Sequence, residues 1–486
     1  MYALIVLIIP LILAGLTQII KKPKTIGTVN CLGYSFILAV SLKLLIDVGL
    51  HKAPISLFNF FYLDALSVFF IFTISVVDLA AALYSISYIE KDLESGNITE
   101  RKARVYYLLF NLFSCSMFFV PVVNNLGMLW VAIEITTLVS TFLVGFYNTK
   151  QSVEAAWKYI IICSVGIILA LFGTILFSYA FSLNGGGKSL NWTDMMMAAG
   201  TFDQNVLKIA FIFILVGYGT KAGLAPMHTW LPDAHSQAIA PVSAMLSGVL
   251  LKTALYAILR FGVIVTKALG AQYFSNLMIL LGVISLLVSA VFVIVQKDIK
   301  RLLAYSSIEH LGIIAIGFGL GGTLGFFGAL MHIFNHAVTK SLMFFSAGNI
   351  VETYKSHNLN KIRGVFTSMP FTGLMLLVGV FALTGFPPFS IFVSEIVIIA
   401  AAFLNHNYLV GAIMLLAIVI IFSALIYHFG KVLFGNPPKG MIVKPEPLSG
   451  KLAFIMLLVF VSTGGLLIPW LFKGVIFSVI DVLRGI

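Results

Sequence analysis

The residues of this chain best suited to chemistry are ionisable side chains set in apolar surroundings: Asp78, Glu134, Lys221, Lys252, Glu309, His310, His332, His336, Lys340, Glu395 and His428. A charge at the centre of a bilayer costs a few kcal/mol or more, so a chain keeps such groups for a task. Their spacing narrows that task. His332, His336 and Lys340, in HIFNHAVTK, recur at four-residue steps and share one helix face. Such a row can pass a proton along hydrogen bonds, because histidine changes charge near neutrality. Zinc is the competing reading of the row, but that face lacks a further carboxylate or cysteine, so no metal is assigned. Glu134, in LWVAIEITT, has no charged neighbour in its own helix and needs a cation from another, for which Lys221 is the natural candidate. Lys252, in SGVLLKTALY, sits one helix further on. Moving a carboxylate toward or away from each lysine would toggle its charge, which is a pump element rather than a static pore. His228 and His235, in PMHTWLPDAH, serve either proton uptake or loop capping. Asp78 is expected to pair with Arg260 or with a neighbouring subunit.

The elements that must position these groups follow from composition. Of 486 residues, 60% are apolar and 10% charged, with a mean hydropathy of +1.06. Soluble proteins carry roughly 25% charged residues. The chain is therefore read as a polytopic, all-α membrane protein, not a disulfide scaffold, a disordered chain or a nucleic-acid binder. Cys31, Cys115 and Cys163 stand singly, without metal or iron–sulfur spacing. The glycine triplet at 185–187 is flanked by no strand and helix, so it is not a phosphate cradle.

Apolar runs long enough to cross a bilayer give fourteen expected spans: 2–20, 26–48, 62–89, 104–123, 125–147, 154–180, 205–227, 238–264, 274–296, 300–320, 323–350, 370–403, 408–434 and 452–473. The first is expected to be an anchor helix, not a cleaved signal. With the N-terminus outside, 19 of the 30 basic residues fall in inside loops, from Lys21 to Lys451. This bias predicts both termini outside and accounts for the net charge of +12 without a polyanionic partner. Two spans are interrupted, the seventh by Pro226 in GYGTKAGLAPMHTWLP and the twelfth by Pro387 and Pro388 in TGFPPFSIFVSE. The breaks are five spans apart. A five-helix unit recurring after an odd number of crossings is upside down, which is the pattern of an inverted-repeat transporter. The expected organisation is helices 1–3 in 1–103, a first repeat (helices 4–8) in 104–264, a second (helices 9–13) in 274–434, and a last helix in 452–486.

At these residues the chain resembles the antiporter-like membrane subunits shared by respiratory complex I, Mrp-type cation/proton antiporters and group 4 membrane-bound hydrogenases. The resemblance is carried by KAGLAPMHTWLPDAHSQAIAPVSAMLSGVLLKTALYAILR (221–260), AYSSIEHLG (304–312), HIFNHAVTKSLMFFSAGNI (332–350) and ALTGFPPFSIFVSE (382–395). EAAWKYIIICSVGI (154–167), the IEH triplet at 308–310 and Glu395 are most similar to the branch typified by component F of hydrogenase-4. It implies ion-translocation roles for Glu134, Lys221, Lys252, His332, His336, Lys340 and Glu395, with Lys158 near the glutamate. His228, His235, Glu309, His310, Asp78 and His428 are possible additions to that path; Asp78, Glu309 and His310 are not general family charges. Only some thirteen residues follow the expected last span, which argues against the long lateral helix of the most distal complex I subunit. The resemblance implies a subunit, translocating H⁺ with Na⁺ as the alternative ion, of a hydrogenase or formate hydrogenlyase-type complex in the cytoplasmic membrane of a prokaryote. Nickel–iron and iron–sulfur centres would lie in partner subunits, with no cofactor in this chain. The alternatives are an Mrp-type antiporter subunit, a pumping subunit of a complex I-like NADH/quinone oxidoreductase, and a passive structural anchor.

Overall fold

The computed structural model describes residues 2–438, 446–464 and 472–485. Its helices, in chain order, are α1 (Tyr2–Ile19), α2 (Pro23–Leu44), α3 (Ala65–Glu94), α4 (Glu100–Phe119), α5 (Leu126–Val144), α6 (Lys150–Leu183), α7 (Gln204–Ala222), α8 (Trp230–Gln237) and α9 (Ala240–Leu269). They continue as α10 (Ala271–Val295), α11 (Ile299–Leu320), α12 (Gly322–Tyr354), α13 (Pro370–Leu383), α14 (Ser390–Leu404), α15 (Tyr408–Leu433), α16 (Leu448–Thr463) and α17 (Lys473–Leu483). Among the described residues, ten helices are long and apolar enough to cross a membrane: α2 extended through Leu50, α3 to α7, α9 to α11 and α15. Shorter apolar helices α1, α13, α14 and α16 accompany them.

The polar residues between apolar runs set where each helix begins. Asp64, Thr99, Asn125, Asp203 and Asp298 each accept a backbone N–H from the first turn of α3, α4, α5, α7 and α11, and Thr149 with Ser152 closes a capping box on α6. These caps satisfy N–H groups that apolar sequence leaves orphaned.

The expected spans differ from the helices in four places. The seventh, expected over 205–227, stops at Ala222, and α8 resumes at Trp230; the twelfth, expected over 370–403, stops at Leu383, and α14 resumes at Ser390. Ahead of α3, a short hairpin of β1 (Ile55–Leu57) and β2 (Phe61–Leu63) occupies residues too few and too mixed in polarity to show a strand period. The last expected span, 452–473, begins within α16; residues 465–471 lie outside the described residues, as do Lys439 and Lys444 of the basic loops.

Burial sorts the helices into a centre and a rim. The most apolar stretches of α9 and α11 are 100% buried and that of α3 94%, against 33% for α15. Helix α12 lies among α3, α9, α11, α13, α14 and α16. Most of the embedded ionisable residues stand on these central helices, where other protein replaces lipid around them. Ion pairs tie the basic loops to one end of the body: Lys24–Glu90, Lys91–Glu352, and Asp233 with both Lys158 and Arg301. Lys52–Asp481 and Arg484–Thr323 join loops at the other end.

Candidate functional site

Each helix break opens on a left-handed glycine followed three residues later by proline: Gly223-Leu-Ala-Pro226 and Gly385-Phe-Pro-Pro388. Gly223 has φ +79° and Gly385 φ +64°, a region that side-chain-bearing residues rarely adopt. Both breaks contain a cis peptide bond to proline. The backbone groups freed there find protein partners. Trp230 Nε1 donates to Thr220 O, Ala225 N donates to Ser285 Oγ, and Asn335 Nδ2 donates to Ser390 O. An interrupted helix persists in a bilayer only when such groups are satisfied.

The first break presents Lys221. Helices α6 and α7 approach closely enough that a Cβ on Gly166 would meet Thr220, and one on Gly217 the Gly166 carbonyl. This brings Tyr159 of α6 over Lys221. The ammonium donates to Tyr159 OH (2.6 Å) and Thr137 Oγ1 (2.8 Å) and lies 4.8 Å from the tyrosine ring centroid. Tyr159 OH also bonds Ser140 Oγ, at 2.7 Å. The expected Glu134–Lys221 ion pair is not formed. Glu134 turns toward α6, where its Oε1 accepts from Ser164 Oγ at 3.1 Å and its Oε2 has no partner among the described residues. The side chains three residues apart on α5, Glu134 and Thr137, divide the work, and the hydroxyl takes the lysine. Lys158 also departs from expectation. It is exposed, six residues along α6 from the Ser164 that meets Glu134, and pairs with Glu154 (2.7 Å) and Asp233 (3.3 Å) rather than standing by the glutamate.

The second cluster is continuous. In α9 the stretch Leu246–Leu250 is a π-helical turn, and Gly248 within it lies so near α12 that a Cβ would come 3.3 Å from Ala337 O. Such turns expose carbonyls that an α-helix would engage, and they recur at functional sites. Lys252 donates to one of them, Ser247 O, and meets His336 Nδ1 at 2.6 Å. The His310 ring centroid lies 4.8 Å from that of His336, and its Nδ1 is 2.9 Å from His332 Nε2. His332 Nδ1 in turn is 2.9 Å from Ser394 Oγ, next to Glu395. The four-residue row on α12 therefore acts with residues of α9, α11 and α14. His310, from the IEH triplet, stands at its centre. Lys340 ends the row by donating to Leu303 O (2.7 Å) and Ser306 Oγ (2.9 Å) of α11. All of these side chains, and Glu309, are buried. The Glu395 carboxylate lies against Gly385, in space that any Cβ there would fill. His310, His332 and Glu395 also bring three ligand-type atoms within 4.8 Å of one another, although no carboxylate shares the α12 face.

Of the remaining candidates, His235 is fully buried against Phe344, and neither ring nitrogen has a partner among the described residues, so its side chain caps no loop there. His228 is buried beside Tyr305. His428 is not embedded with the others. It stands half-exposed on α15, 3.1 Å from Ile294 O, beside a cavity lined by Lys297, Tyr427 and Lys431. Asp78 does not meet Arg260. It accepts from Ser114 of α4, and Arg260 instead forms a bidentate pair with Asp64, both bonds 2.6 Å, with Tyr256 and Ser67 completing the cluster. The sequence did not single out Tyr159, Thr137, Ser164 or Ser394. Hydroxyls are common in apolar helices, and only their cross-helix partners distinguish these four.

Residues 123–421 match the family described as NADH:quinone oxidoreductase/Mrp antiporter, TM. The chain is 40% identical over 381 residues to the hydrogenase-4 component F homolog of Methylacidiphilum infernorum, covering 78% of this chain and 80% of that one. It is 30% identical to hydrogenase-4 component B of Escherichia coli over 68% of this chain, which spans about half (49%) of that longer relative. NADH-quinone oxidoreductase subunit N of Desulforudis audaxviator is 31% identical over 67% of this chain and 63% of its own length. Two solved structures share the fold. One is a chain of the membrane-bound sulfane sulfur reductase, an archaeal respiratory membrane complex (TM-score 0.87, 24% identity, 99% of this chain and 97% of that chain). The other is a chain of the Mrp complex from Dietzia sp. DQ12-45-1b (TM-score 0.86, 19% identity, 99% and 97%).

Proposed function

Because the chain belongs to the NADH:quinone oxidoreductase/Mrp antiporter membrane family, we propose that it is the proton-translocating, antiporter-like subunit of a membrane-bound hydrogenase or formate hydrogenlyase-type complex. The observation that carries this reading is the row Lys252–His336–His310–His332–Ser394, ending beside Glu395, that crosses four central helices without reaching solvent. Three of its links are hydrogen bonds, and the fourth, His336–His310, is a contact of rings with centroids 4.8 Å apart. Each of the three hydrogen bonds joins a group able to give up a proton to one able to take it, and transfer between His336 and His310 needs a ring rotation or a bridging water. Lys221 in its hydroxyl cradle is the loading point of the first half, and Glu134 is the acid whose movement changes the lysine's charge. Partner subunits would hold the nickel–iron and iron–sulfur centres and perform the electron transfer. This chain would contribute ion movement in the prokaryotic cytoplasmic membrane, with fourteen spans, both termini outside and two inverted five-helix repeats over 104–264 and 274–434. The shared G-x-x-P breaks support that internal repeat.

The test is coupled proton pumping by the native complex in vesicles. Lys221→Ala and Glu134→Gln are expected to abolish pumping while the complex still assembles; unchanged pumping in both would remove the relay. Gentle purification with identification of the accompanying chains tests the assembly. Nickel–iron and iron–sulfur subunits support it, whereas small hydrophobic antiporter subunits alone would reassign the chain to an Mrp-type complex.

A further inference from the structure

We infer that His310, His332 and Glu395 form an inhibitory binding site for a divalent zinc-like cation at the end of the histidine row. The three residues come from three helices, α11, α12 and α14, and each is at least 96% buried. Their ligand-type atoms lie within 4.8 Å of one another, and no other such group of three occurs among the described residues. Two imidazoles and one carboxylate are a zinc-binding set that leaves a fourth position open.

The surroundings fit metal ligation in detail. His310 Nδ1 and His332 Nε2 face each other at 2.9 Å. Tetrahedral ligands at ~2.0–2.1 Å from zinc stand roughly 3.3 Å apart, so a bound ion asks for a separation of a few tenths of an ångström. His332 is already held by its other nitrogen, Nδ1, against Ser394 Oγ, the outer-shell bond that orients a ligating histidine. His310 keeps Nε2 without a partner among the described residues. Glu395 supplies the anionic ligand and is not engaged by any ion pair among the described residues. Lys252 is taken up by His336, so no ammonium group occupies these ligand atoms. The carboxylate of Glu395 rests on Gly385 of the second break, where residues 386–388 are exposed.

A cation there would tie together the last three proton carriers of the row and stop transfer through them. That consequence rests on the proposed translocation; the binding does not. The experiment therefore reads binding first. The intact complex is equilibrated with Zn²⁺, passed over a desalting column and analysed for retained metal per chain, and Co²⁺ replaces Zn²⁺ to report tetrahedral coordination by its visible spectrum. The wild type is expected to retain one additional ion relative to His332→Gln and to Glu395→Gln. Ser394→Ala, which keeps all three ligands, is expected to weaken retention about tenfold. Equal retention by the wild type and all three variants, or none by the wild type, overturns the site. If the two ligand variants fail to assemble, Ser394→Ala decides alone: weaker retention supports the site and unchanged retention overturns it. Zn²⁺ should then inhibit pumping by the wild type and inhibit Ser394→Ala only at higher concentration. Specific binding without inhibition would retain the site and count against the translocation reading.

Discussion

Lys221 and Lys252 stand one span apart, both fully inside the protein, and are accommodated by different chemistry. Lys221 is held by oxygen: two hydroxyls and a tyrosine ring, with its prospective carboxylate turned away toward Ser164. Lys252 is held by a backbone carbonyl and a histidine nitrogen, and a ring contact followed by two hydrogen bonds leads from there toward Glu395. A hydroxyl cradle stabilises an ammonium group but is a poor proton store, because serine, threonine and tyrosine do not change charge near neutrality. Imidazoles do. The Lys221 site is thus arranged as a place to hold charge and the row that starts at Lys252 as a place to pass it on. The two helix breaks share a G-x-x-P pattern and differ in what they present, Lys221 at one and Glu395 at the other.

Four substitutions can break or sharpen that contrast. The largest effect is expected for His310→Ala, which removes the ring between His336 and His332; pumping in vesicles should fall on the order of 10²-fold, as for loss of a positioned proton-transfer group. A fall comparable to that of a surface substitution would mean the contiguous contacts carry no protons. Asp64→Asn should act on stability instead of transport, since it leaves Arg260 buried without its anion. A loss of about 3–5 kcal/mol, read as a lower unfolding temperature of the purified complex, is expected. Tyr159→Phe deletes one of the two hydroxyls on Lys221 and leaves Thr137 in place. Hydrogen bonds to charged groups contribute roughly 1.5–3 kcal/mol, so a pumping loss of about tenfold is expected, smaller than that of His310→Ala. The reverse order would make the hydroxyl cradle the more demanding half. Lys158→Ala is expected to leave pumping and unfolding temperature unchanged, because its ion pairs are exposed. A deep loss of pumping would place Lys158 with the translocating groups after all.

The histidine row on α12 was legible because a four-residue step on a helix is a tertiary statement already made by the local geometry. His310 was visible as a buried titratable residue, but its position at the centre of the row was not, because α11 and α12 meet through packing that no spacing encodes. Glu134 shows the converse. Its burial in an apolar run made a lysine partner the economical guess, yet a serine on α6 reached it first, and polar hydroxyls leave almost no trace in a hydropathy pattern. Asp78 and Arg260 failed as a pair for a related reason. Both are buried, but Asp64, the N-cap residue of α3, is the arginine's anion.

Composition and hydropathy by themselves determined that this chain builds a helical membrane body, because continuous apolar runs of about 20 residues satisfy their backbone in lipid as helices, whereas barrel strands are shorter and alternate in polarity. Pro226, Pro387 and Pro388 marked the two places where spans are interrupted, since a missing N–H and a ring clash are local facts, although Pro10 is accommodated within α1. Which groups face one another was decided only by the tertiary structure. Side-chain partners across helices depend on close approaches at Gly166, Gly217 and Gly248 and on a π-helical turn before Lys252. An ammonium group that moves by the length of a single hydrogen bond changes partner, and that scale separates a lysine paired with an acid from one resting on a hydroxyl or a histidine.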